Sequence, residues 1–122
     1  MGELEMDNRN FTRVTCSANA SIRYGAEVVL CDIDNMSLHG MHLKTDHDIP
    51  LNVPVNVTVY HSSQAPLKVS AKAVRKEANG VGLQISNLNV NSFVQLRNLI
   101  TEHCSDKGAV MQETFKMLKC IY

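Results

Sequence analysis

From Val53 to Tyr60 the chain alternates residue by residue, with Val53, Val55, Val57 and Val59 on one side and Pro54, Asn56, Thr58 and Tyr60 on the other. A period of two marks a strand with one face buried and one face wet. The same pattern sets Leu67, Val69, Ala71 and Ala73 against Lys68, Ser70 and Lys72, and Val81, Leu83 and Ile85 against Gly82, Gln84 and Ser86. Between those two runs Asn79-Gly80 predicts a type I′ hairpin turn, whose two central residues need positive φ. Upstream, Ala20 to Tyr24 and Val28 to Ile33 are rich in β-branched and apolar residues and are joined at Gly25, while Met41 and Leu43 alternate with His42 and Lys44. These six short strands, joined mostly by short polar turns, predict an all-β domain, an antiparallel sandwich or small barrel. A closed or nearly closed barrel is favoured, because it leaves fewer exposed strand edges on a chain this small.

After Asn87 the period changes. Phe93, Leu96 and Ile100 recur at helical spacing, Leu99 widens the apolar stripe, and Asn89 or Asn91 can cap the start. Ser105-Asp106-Lys107-Gly108 ends that helix. A second helical segment then places Met111, Phe115, Leu118 and Tyr122 on one side. Such a stripe has three outcomes: it packs on the barrel, pairs with another subunit, or frays. The organisation expected is a flexible N-terminus over 1–8, one β-barrel domain with its helix over 9–104, and a tail over 105–122 with helical character.

A chain of 122 residues with 44% hydrophobic content supports one core. Twelve Lys and Arg balance twelve Asp and Glu, which argues against a broad attraction to DNA, RNA or anionic lipid. Any phosphate ligand must then be held by a local site. The longest apolar runs, such as Glu27 to Cys31, break off far short of a membrane span. The acidic start, Met1 to Asp7, lacks the basic and apolar regions of a signal peptide, so the expected location is the cytoplasm.

Cysteines at 16, 31, 104 and 120 form no C-x-x-C pair and no zinc-type spacing. They read as structural or bystander thiols in a reducing compartment. His39 and His42 with Cys16 and Cys31 suggest no metal site, because alternation puts His42 on the outward face opposite Met41 and Leu43. No Ser-His-Asp order, carboxylate pair or phosphate-binding loop points to an enzyme, and no cofactor is implied. The neighbours His103 and Cys104 would point about 100° apart on a helix.

Two short motifs remain. Arg9-Asn10-Phe11-Thr12-Arg13 sets two arginines four apart, on an extended or loop segment ahead of the first strand run. Asn35-Met36-Ser37-Leu38-His39-Gly40 lies between the second and third runs. Taken separately, the first is an ordinary solvated segment and the second an ordinary capped turn. Together and in this order they resemble the PilZ domain family, whose motifs are Arg-x-x-x-Arg and (Asp/Asn)-x-Ser-x-x-Gly. Gly80 to Ile85 and the helix of Phe93, Leu96 and Ile100 also look like that family's last strand and helix, so the likeness spans residues 9–104.

The resemblance implies a six-stranded antiparallel β-barrel of split-barrel type, flanked by one or two α-helices. It implies a receptor for cyclic di-GMP or a related cyclic dinucleotide, with Arg9, Arg13, Asn35, Ser37, His39 and Gly40 as ligand-binding residues. The residue chemistry suits such a ligand. A guanidinium offers forked donors to phosphate oxygens or guanine O6 and N7 and can stack on a base. Asn35 and Ser37 supply acceptors for guanine's N–H edge, His39 can stack on or hydrogen-bond the ligand, and Gly40 leaves room for the turn and for close approach. The receptor would relay binding to a downstream protein partner by a conformational change, without catalysis. The family often has Asp where this chain has Asn35, which keeps an acceptor but loses a charge. That departure supports a second reading, a degenerate PilZ-like interaction module that binds no nucleotide.

Overall fold

The computed structural model of the protein describes residues 11–61 and 65–122. Six strands follow one another, β1 (Val14–Tyr24), β2 (Glu27–Met36), β3 (Gly40–Lys44), β4 (Pro54–Tyr60), β5 (Leu67–Glu77) and β6 (Gly80–Asn87). Two helices, α1 (Val90–Glu102) and α2 (Lys107–Lys116), and a 3-10 turn at Leu118–Cys120 complete the chain. The strands close into an antiparallel barrel in the order β1-β2-β3-β6-β5-β4, with β4 paired back on β1 from Asn19↔Tyr60 to Arg23↔Asn56. Closure removes the edge strands that an open sheet of this size would expose.

Alternation builds the core as the sequence predicts: Ile22, Leu43, Val57, Val59, Leu83 and Ile85 are buried inside the barrel. Helix α1 covers it with Phe93, Leu96, Leu99 and Ile100, and Asn89 caps that helix by accepting the Ser92 N–H at 2.8 Å. β1 begins at Val14, earlier than its apolar run, so Arg13 stands directly at the mouth of a strand.

Two breaks in the alternation decide which polar side chains reach the outer surface. In β2, Val29, Cys31 and Ile33 are buried, and the same parity would turn Asn35 inward. Pairing with β3 instead steps from Ile33↔Leu43 to Asn35↔His42, which leaves Asp34 as an extra residue. This bulge keeps Asp34 and Asn35 both on the outer surface and returns Met36 to the core. In β5, Leu67, Val69, Ala71 and Ala73 are buried, and parity would bury Arg75. There the pairing steps from Ala73↔Leu83 to Arg75↔Gly82, Val74 is the extra residue, and Arg75 faces out.

The Asn79-Gly80 hairpin forms differently from the prediction. Glu77 pairs with Gly80, so Ala78 and Asn79 make the turn, and neither has positive φ. Gly80 is required for another reason: a Cβ there would lie 1.9 Å from the Leu43 carbonyl oxygen on β3. Among the described residues, positive φ occurs at Gly25 (58°), in the β1–β2 turn, and at Asn52 (62°).

The tail packs on the domain. Val110, Met117 and Cys120 are buried, Leu88 N–H donates to the Cys120 carbonyl at 2.9 Å, and Tyr122 N–H donates to the Leu88 carbonyl at 3.0 Å. The predicted stripe does not do the packing: Met111, Phe115, Leu118 and Tyr122 are all exposed, Phe115 to 72%. The helix has turned its other side, carrying Val110 and Glu113, inward.

All four cysteines are free, three of them buried. Burial, reinforced by Asp32, pushes the Cys31 thiol up to about 12, and burial followed by Glu102 raises Cys16 as well. Such thiols are poor nucleophiles. No helix among the described residues is long and apolar enough to cross a membrane.

Candidate functional site

Arg13 Nη1 donates to the side-chain oxygen of Asn35, joining the two motifs directly. From there a polar ladder crosses the outer surface of the barrel. Asn35 Nδ2 donates to Asp34 Oδ1 at 2.6 Å, and Asp34 Oδ2 lies 3.1 Å from His42 Nδ1. His42 Nε2 sits 2.9 Å from Glu77 Oε1, within ion-pair distance although not aligned as a hydrogen bond. Glu77 Oε2 then accepts from Arg75 Nε at 2.5 Å. The ladder therefore ends in a guanidinium on both sides, Arg13 and Arg75. The β2 bulge makes it possible, since adjacent residues Asp34 and Asn35 share one face only where alternation fails.

β6 lies between β3 and β5 and offers Gly82 along this path, paired with both His42 and Arg75. A Cβ on Gly82 would meet Arg75 Nη2, Cζ and Nε at 3.0, 3.2 and 3.4 Å. Three guanidinium atoms at similar distances mean that the group lies flat over the glycine. Arg75 was invisible to sequence reasoning because its parity matches the buried face of β5.

The hairpin between β2 and β3 carries the second motif. Ser37 is 2% exposed, and its hydroxyl accepts from the backbone N–H groups of His39 and Gly40, both at 3.2 Å. Ser37 N–H donates to the Gly40 carbonyl at 2.8 Å. Ser37 thus shapes the turn through its own backbone neighbours. Gly40 has no positive φ; it is needed because a Cβ would lie 2.5 Å from the Leu83 carbonyl oxygen. His39 projects from the turn, its ring centroid 5.0 Å from that of Phe11 and its Nε2 3.2 Å from Gln84 Nε2. An amide nitrogen can only donate, so His39 Nε2 is the acceptor and carries no proton.

These groups enclose a cleft of about 390 Å³, lined by Phe11, Arg13, His39, Arg75, Gly82 and Gln84 among others. Of the residues expected from sequence, the cleft brings together Arg13, Ser37, His39 and Gly40, and Asn35 touches it through Arg13. Arg9 lies outside the described residues. Phe11, Arg75 and Gln84 were not anticipated, although Gln84 stood on the outward face of its strand and Phe11 lay inside the arginine motif. A larger hollow of about 930 Å³ opens elsewhere, between Asn19, Leu30, Asp32, Asp46 and Tyr60. Its two carboxylates, Asp32 and Asp46, outnumber its one lysine, Lys44, which disfavours an anionic ligand, so charge rather than volume selects the smaller cleft.

Burial, and then the charge of Arg75, lower the Arg13 pKa from its ordinary value. Two guanidinium groups facing one cleft repel each other, and an anion between them relieves that repulsion. Burial, with Lys119 second, holds the His39 imidazole below its ordinary 6.5. As pH falls through this range the unfolded chain takes up the proton first, so the stability tied to neutral His39 is present above pH 6.5 and is lost below it. Thermal melts should show a midpoint that falls as the pH drops below about 6.5, a fall flattened in His39→Asn. An unchanged slope in that variant would assign the loss to another group.

The family model of the PilZ domain matches residues 7–102. The chain belongs to the PilZ domain family, a family of receptor and adaptor domains rather than enzymes. The structure is similar to the PilZ domain of YcgR from Escherichia coli, solved with c-di-GMP, at a TM-score of 0.64 and 11% identity over 85% of this chain and 95% of that one. It is similar to the PilZ domain of CeSA from a cellulose synthesizing bacterium, with TM-score 0.62 and 14% identity over 75% of this chain and 96% of that one. It is also similar to the Bacillus subtilis inhibitor of motility, MotI/DgrA, with TM-score 0.62 and 12% identity over 75% of this chain; the chain spans about half of that protein's length, 49%. No curated protein sequence matches the chain.

Proposed function

We propose that this protein is a cytoplasmic receptor for cyclic di-GMP, or a related cyclic dinucleotide, and relays binding to a partner protein without chemically altering the ligand. The observation that carries this reading is the pairing of Arg13 and Arg75 on one cleft of about 390 Å³, within the size range of small-ligand sites. The ligand has two phosphates and two purine faces. Arg13 and Arg75 offer forked donors and planar faces for both, while His39 and Phe11 form a neutral wall on which a base can stack. Arg9, four residues before Arg13, joins the site in this proposal, as do Asn35, whose amide trades Arg13 for the ligand, and the turn built by Ser37 and Gly40.

The family match and the likeness to a PilZ domain solved with c-di-GMP support the choice of ligand class. Calorimetric titration of the purified full chain with cyclic di-GMP should give a saturable heat at micromolar affinity, on the order of −8 kcal/mol. The ligand recovered afterwards should be intact. No heat up to about 100 μM ligand, a free energy weaker than about −5.5 kcal/mol, would sink the reading in favour of an interaction module that ignores nucleotides.

A further inference from the structure

The part of the chain beyond the family match reaches back to the arginine motif. Glu113, on the inner side of α2, is only 6% exposed. Its carboxylate accepts the Thr12 backbone N–H at 2.7 Å through Oε1 and the Thr12 hydroxyl at 2.6 Å through Oε2. Thr12 stands 101 positions away, next to Arg13 and between the two arginines of the motif. One helical turn further along α2, Lys116 Nζ lies 5.3 Å from the centroid of the Phe11 ring, the same ring that packs on His39. Residues 11 and 12 are therefore held by α2 on one side and by the motif turn on the other.

A carboxylate this buried is costly unless its oxygens are satisfied, and here two charge-assisted hydrogen bonds to one residue satisfy them. That arrangement is sensitive to position, because no other place along the extended segment offers a backbone N–H and a hydroxyl together. We propose that Glu113 is a positioning residue of the dinucleotide site, and that through it the occupancy of the cleft is coupled to the docking of α2. This inference rests on the reading of the cleft as a dinucleotide site. A segment already in place presents Phe11 and Arg13 to the ligand, and apparent affinity falls by the fraction of time the segment is elsewhere. Coupling is reciprocal, so the bound ligand in turn holds α2 on the barrel.

Two measurements on the full chain test this. Glu113→Gln keeps the side-chain shape but removes the charge: its amide can meet the Thr12 hydroxyl only as a donor, so the grip on Thr12 loses its charge assistance. It should bind cyclic di-GMP about tenfold more weakly by calorimetry, the effect of one charge-assisted hydrogen bond. In the wild type, the ligand should slow hydrogen exchange across Lys107–Lys116, a readout that a merely structural role for Glu113 would leave unmoved and that still decides if the variant fails to fold. Wild-type affinity in Glu113→Gln, or α2 exchange indifferent to saturating ligand, overturns the coupling while leaving the site intact. A wild type that takes up no cyclic dinucleotide overturns the reading of the site and the coupling with it.

Discussion

Replacing Arg13 by Ala should abolish measurable binding of cyclic di-GMP, weakening it by a hundredfold or more, about 3 kcal/mol, while the fold survives. The size of the effect follows from what the guanidinium does at once. It supplies forked charged donors to the ligand, it stands opposite Arg75 across the cleft, and it ties the first motif to Asn35. Arg13→Lys should recover only part of the loss, because an ammonium keeps the charge but has neither the fork nor the planar face. The melting temperature should move by about 2 °C or less, since the Arg13 side chain, though partly desolvated, stays open to solvent and its hydrogen bond to the neutral Asn35 amide contributes little to folding. Calorimetry and thermal melts on the same sample separate the two effects. Undiminished binding by well-folded Arg13→Ala would remove the first motif from the site.

The largest stability loss should come from a single methyl group at Gly80. A Cβ there would lie 1.9 Å from the Leu43 oxygen, 2.9 Å from the Leu43 carbonyl carbon and 3.0 Å from Lys44 Cα, and none of these backbone atoms can rotate aside. Gly80 and Gly40 sit at opposite ends of one seam, the β3–β6 pairing that runs from Gly40↔Gln84 to Lys44↔Gly80. Opening that seam breaks the barrel. Gly80→Ala should therefore cost about 3 kcal/mol, as overpacking against a rigid neighbour does, and lower the melting temperature by about 10 °C. Gly82→Ala is the instructive control, because its Cβ meets only the movable end of Arg75 at 3.0 Å. It should keep nearly full stability and weaken ligand binding by displacing that guanidinium. Equal melting temperatures for Gly80→Ala and the wild type would show that the seam tolerates a shift.

The alternating runs of Val55 to Val59, Leu67 to Ala73 and Val81 to Ile85 were legible because burial on one face is written locally, one residue in two, although Val53, read on the same face, lies before β4 and is exposed. The helix of Phe93, Leu96 and Ile100 was legible for the same reason at its own period. A cap at Asn89 or Asn91, and the two motifs with their order, could also be read from the chain; the fold uses Asn89. The Asn79-Gly80 turn misled because glycine beside asparagine signals positive φ, whereas this glycine answers to a carbonyl on β3 that is remote in sequence. The apolar stripe Met111, Phe115, Leu118 and Tyr122 left its outcome open, and the fold leaves all four residues exposed. Nothing local marks its neighbour Glu113 as buried, because the partner that satisfies it, Thr12, lies 101 positions away.

The residue pattern thus carried six strands, a barrel favoured over a sandwich, a covering helix and a pair of motifs with the chemistry of a phosphate and purine site; closure itself is a fact of the fold. The tertiary structure alone decided which side chains face the cleft. Asn35 and Arg75 both have the parity of buried residues, and each is turned outward by one extra residue in its strand, Asp34 in one case and Val74 in the other. A bulge of this kind arises from pairing, when a strand must match register with its neighbours in a ring that closes, and no local period records it. The grip of Glu113 on Thr12 has the same origin. It joins residues 101 positions apart, and only the folded barrel brings them within reach.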